Sequence, residues 1–72
     1  MTKRQKEALQ VAIAFIDTNG FSPTFRELKE RLGLKSQSAV HTLFIRLKEQ
    51  GYVTWEYDRP RTLKILVKGV AS

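Results

Sequence analysis

The chain has 72 residues, a formal net charge of +6, a single histidine and no cysteine. A disulfide framework and a cysteine-based zinc site are therefore excluded, and one histidine cannot build a histidine metal centre. One small domain held by apolar packing is expected, with no cofactor and no metal. The excess positive charge favours a polyanionic partner, nucleic acid before membrane, although small domains that bind no polyanion can carry the same balance. The longest apolar run, VAIAFI over residues 11–16, is far too short to span a bilayer, and no secretory leader is visible. The expectation is a soluble cytoplasmic protein without membrane association or a small-molecule substrate. One histidine and scattered acids do not suggest a serine–histidine–carboxylate set, so no enzyme is expected.

Thr2 and Gln5 have the spacing of a capping box and open a first helix that runs to Asp17 or Thr18 and stops at Gly20. Leu9, Ala12, Ile13 and Ile16 recur at helical spacing, and Val11, Ala14 and Phe15 widen the apolar face beyond one stripe. Either the helix is clasped on two sides, as small domains often arrange it, or part of this face meets a partner. Phe21 to Thr24 form a short connection in which Pro23 blocks helix propagation, Phe21 packs back on the next helix, and Thr24 with Glu27 gives a second capping box. Helix 2 then spans Phe25 to about Leu32, with Leu28 and Leu32 inward.

Gly33 ends helix 2, Leu34 plugs the corner, and Ser36 caps a third helix from Gln37 to about Gln50. Its buried stripe is Val40, Phe44 and Leu47, with Leu43 beside it. The opposite face carries Gln37, Ser38, His41, Thr42 and Ile45, with Ala39 at the edge. Short polar side chains at a helix start suit close approach to base edges, and they also suit an ordinary solvated helix start. Standing on the second helix of a helix-turn-helix favours the first reading.

After Gly51 the period changes from 3.6 to 2. Residues 52–57 and 62–67 read as two strands, with Leu63, Ile65 and Val67 on one face. Residues 58–61 form the hairpin tip, where Pro60 is barred from central ladder positions. The fold class is mainly α with a small β-hairpin, a winged helix-turn-helix over residues 1–67, followed by a flexible tail at 68–72. Arg59 and Arg61 at the tip either reach the backbone or minor groove of DNA or belong to a solvated turn.

These stretches resemble the N-terminal DNA-binding domain of the LexA repressors of the bacterial SOS response. The resemblance runs from Thr2 to about Val67, through T-K-R-Q-K-E, G-F-S-P-T-F-R-E-L, L-G-L-K-S-Q-S-A-V-H, R-L-K-E-Q-G-Y-V and P-R-T-L-K-I-L. It implies a repressor that reads a palindromic operator on double-stranded DNA from the major groove. By position, Ser36, Ser38, Ala39, His41 and Thr42 would read bases, with Gln37 standing where some relatives have proline. Thr24, Arg26, Lys35 and Arg46 would face phosphates, with Arg59 and Arg61 on the wing. Leu43 and Phe44 depart from the polar residue and leucine that relatives often show. The family's second domain, which supplies self-cleavage and dimerisation, does not fit in 72 residues. The chain thus reads either as a domain of a longer repressor or as a small protein of a phage or mobile element. A monomer in solution that pairs on DNA is expected. The alternative function is a winged-helix module that binds another protein, for example another repressor.

Overall fold

A computed structural model describes residues 2–66; Val67 and the predicted tail lie outside the described residues. The order is α1 (Lys3–Asn19), α2 (Phe25–Leu32), α3 (Gln37–Glu49), β1 (Val53–Thr54) and β2 (Lys64–Ile65). All three predicted helix starts are built as expected. Thr2 and Thr24 each close a capping box, with Gln5 and Glu27 respectively, and the Ser36 hydroxyl accepts the Ala39 N–H at 3.3 Å.

The ends of α2 and α3 share one device. Past α2, the Gly33 N–H donates to the Glu30 carbonyl at 3.3 Å and the Leu34 N–H to that of Lys29 at 3.1 Å. Past α3, the Gly51 and Tyr52 N–H groups donate to the Lys48 and Leu47 carbonyls, both at 3.0 Å. These are Schellman closures, which need a left-handed residue, and Gly33 (φ 69°) and Gly51 (φ 85°) supply it. The first sets the sharp turn between α2 and α3. The second aims the chain into the wing.

Ala8, Leu9 and Ala12 of α1, Leu28 and Leu32 of α2, and Val40, Phe44 and Leu47 of α3 form the core, joined from the wing by Val53, Trp55 and Leu63. Leu34 packs half-buried against it, as its corner position predicts. The Phe21 ring lies 5.8 Å from Phe15 of α1, edge to face, and so packs on the end of α1.

The wing is narrower than the alternating sequence suggests, because the strands are two residues each and not six. Val53 pairs with Ile65 and Thr54 with Lys64, antiparallel, and the Leu66 N–H reaches the Tyr52 carbonyl at 2.9 Å. Hydrogen-bonded pairs alternate in such a ladder, so Glu56 and Thr62 should exchange the next two bonds. There the Thr62 hydroxyl takes over from its backbone. It accepts the Glu56 N–H at 2.8 Å and lies 3.2 Å from the Glu56 carbonyl and 3.0 Å from that of Arg59. The register continues, but the ladder ends in side-chain bonds that shape the tip.

Candidate nucleic-acid interface

The capped start of α3 stands clear of the core. Ser36, Gln37, Ser38 and Thr42 are exposed, and Ala39 is half-buried. Thr42 donates its hydroxyl proton to the Ser38 carbonyl one turn back, at 3.0 Å. What it presents outward is therefore a methyl group and hydroxyl lone pairs, a surface suited to a thymine methyl or a base amino group. Ser36, whose hydroxyl caps the helix, offers its remaining capacity beside the free N–H groups of the first turn, where negative charge is favoured.

Two residues of the predicted outward face are placed otherwise. Ile45 is half-buried against the core. His41 is half-buried too, with its ring 5.5 Å from Phe25, 6.0 Å from Trp55 and 6.3 Å from Tyr57. The wing strand lies along this flank of α3, which the helical pattern alone does not reveal. His41 thus keeps an edge beside Gln37 and Ser38 while its ring is held by aromatic neighbours.

Among the expected phosphate-side residues, Arg26 and Lys35 are exposed. Arg46 is exposed and pairs with Glu49 at 3.3 Å, an ion pair weak enough to yield to a phosphate. Thr24 is occupied as the α2 cap: its hydroxyl accepts the Glu27 N–H at 3.2 Å and its own N–H goes to the Glu27 carboxylate at 2.8 Å.

The two wing arginines part company. Arg59 is exposed at the tip, and with Pro60 and Gln37 it borders a groove of about 310 Å³ between the wing and the starts of α2 and α3. Arg61 turns inward. Its guanidinium meets both Glu27 carboxylate oxygens, at 2.9 and 3.2 Å, donates to the Ser22 carbonyl at 3.0 Å, and lies 4.8 Å over the Phe21 ring. The hydrogen bond from the Thr24 N–H, and after it those from Arg61, hold the Glu27 carboxyl below its ordinary range. Ser22 adds a second tie by donating to the Leu63 carbonyl at 2.6 Å. Arg61 therefore latches the wing to the start of α2.

Residues 1–62 match the family described as the LexA DNA binding domain. The chain belongs to that family. Its curated relatives include the LexA repressor of Koribacter versatilis, 35% identical over 66 residues, and those of Staphylococcus epidermidis and Staphylococcus aureus, each 38% identical over 66 residues. Each match covers 92% of this chain, which spans about a third of the relatives' own length, 31% or 32%.

Within this LexA-type domain, three residues clustered between α3 and the wing escape the helical reading. Trp55 is 7% exposed in the aromatic cluster, Tyr57 is 67% exposed beside it, and the Lys48 ammonium lies 4.8 and 4.6 Å over their rings. The available signals were the two-residue spacing of Trp55 and Tyr57 and the seven-residue spacing of His41 and Lys48, which puts both on one flank of α3. The question left open at α1 has a mixed outcome. Phe15 is buried, but Ile13 and Ile16 are only half-buried and line a groove of about 530 Å³ with Asp17, Ser22 and residues 63–65 of the wing. Among the described residues no helix is long and apolar enough to cross a membrane, and no group of three or more potential metal ligands occurs.

Proposed function

We propose that this LexA-type domain binds double-stranded DNA sequence-specifically as part of a transcriptional repressor. The first two turns of α3 enter the major groove, and Arg59 at the wing tip reaches the adjacent backbone or minor groove. The observation that carries this reading is the exposed polar start of α3, capped by Ser36 and set beyond a Schellman turn, with Arg26 of α2, Lys35 of the turn and Arg46 of α3 also exposed. Gln37, Ser38 and Thr42 read base edges directly, Ala39 gives apolar contact, and Ser36 and His41 act at the margins. Arg26, Lys35 and Arg46 position the helix through phosphates, with Thr24 contributing only its cap.

A single module of this kind buries on the order of 600–1,000 Å² on DNA, which favours two copies acting on one palindromic site. Selection of bound sequences from a random duplex library tests the reading. Enrichment of a palindrome with half-site centres about one helical turn apart is expected. Recovery of unenriched sequence would contradict it. The second reading, a protein-binding module, is supported by the groove between α1 and the wing. A duplex-binding domain that loses no affinity when Ile13 or Ile65 is made polar leaves that groove without a part in DNA binding.

A further inference from the structure

The geometry points to a phosphate-binding contact made by Lys48 and Tyr57 on the flank of α3 that faces the wing. This rests on the duplex-binding reading above and adds to it a contact that the helix-turn-helix pattern does not supply.

Lys48 leaves α3 near its C-terminal end, yet helical side chains lean back toward the N-terminus of their helix. Its ammonium accordingly comes to rest above Trp55 and Tyr57, on the flank that also carries His41 and Gln37. The ring faces attract the cation and hold its long stem in one place. They do not neutralise it. The ion pairs among the described residues join Arg4 to Glu7, Arg46 to Glu49 and Arg61 to Glu27, and none reaches Lys48. A lysine ammonium carries three donors, and ring faces are poor substitutes for anionic oxygens. Tyr57 is 67% exposed, with its ring centroid 4.6 Å from the ammonium.

A phosphate oxygen suits this pair, because lysine supplies a point charge and the tyrosine hydroxyl a directional donor. Position argues for a phosphate of the DNA strand. An α-helix about 10–12 Å across nearly fills a major groove about 12 Å wide, so its flanks, and not its outermost face, meet the sugar–phosphate walls. Lys48 and Tyr57 occupy such a flank between the reading face and the wing. Because the ammonium is already seated, it costs little side-chain entropy to use and helps fix the register of the wing against α3.

The test is equilibrium binding of the full chain to a labelled random-sequence duplex across a salt series. Lys48→Met keeps the stem on the rings and removes the charge. It should make the slope of log affinity against log salt shallower by about 0.9, a loss of roughly eightfold near 0.1 M salt, and equally so on a selected sequence. Lys48→Arg should restore the slope. Tyr57→Phe should weaken binding on both duplexes with the slope intact. Native thermal melts identify folded variants, and Lys48→Gln serves as the charge-removing variant if Lys48→Met does not melt like the parent. A folded charge-removing variant with the parental slope overturns the proposal while duplex binding stands. A parent protein with no salt-dependent duplex binding overturns both.

Discussion

Arg61 occupies a left-handed backbone conformation, φ 59°, that most side chains avoid, and it does so where its guanidinium bridges the wing, the α1–α2 connection and the first turn of α2. Such strain persists when surrounding contacts over-determine it, and here the Glu27 carboxylate, the Ser22 carbonyl and the Phe21 ring do so. Glu27 is the centre of this latch, and its lowered pKa links the latch to pH. A carboxylate whose pKa is lower folded than unfolded stabilises the fold above the unfolded value, and that contribution is lost as pH falls through the folded value. Glu27→Gln should therefore flatten the decline in melting temperature below about pH 4.5, the ordinary value for this group. A decline unchanged from the parent would remove Glu27 as its source. Arg61→Ala should lower the melting temperature and leave the salt slope of DNA binding unchanged, because the guanidinium is engaged by Glu27 and the Ser22 carbonyl. A shallower slope would place Arg61 on a phosphate.

At the scale of elements, helix starts and stops were legible because each is a local transaction between neighbouring residues. Thr2 with Gln5, Thr24 with Glu27, and Ser36 read as caps from spacing alone, and Gly33 and Gly51 as stops. The wing was less legible. Its residues alternate as far as Tyr57, but pairing depends on which group of Thr62 meets Glu56, and composition does not encode that choice. The same limit applies to His41, whose outward position on a helical projection meets Trp55 and Tyr57 of the wing, and to Ile45, which packs against the core. Arg61 was legible as a tip residue, and its inward turn was not, because its partners lie 34 and 39 residues away. Thr62→Val keeps the shape of the side chain and deletes its hydrogen bonds, at a cost of about 1 kcal/mol for each bond not replaced by water. Amide exchange at Glu56 should quicken in Thr62→Val and stay near the parental rate in Thr62→Ser. Equal rates in all three would show that the hydroxyl does not close the tip.

The whole molecule has one core, and α3 contributes Val40, Phe44 and Leu47 to it while its polar start stays exposed. Phe44 is fully buried, 5.8 Å from the Phe25 ring. Phe44→Ala should cost about 3–5 kcal/mol, enough to unfold much of a small domain whose total stability is on the order of 5 kcal/mol. Ser38→Ala and Thr42→Ala lie on exposed residues and should leave the melt nearly unchanged. The measurement that tests the central claim is the ratio of affinities for a selected duplex and a random one. Ser38→Ala or Thr42→Ala should lower that ratio severalfold, and Arg59→Ala should weaken both duplexes alike and preserve it. Equal losses on both duplexes for the α3 variants would contradict the assignment of α3 as the reader of sequence.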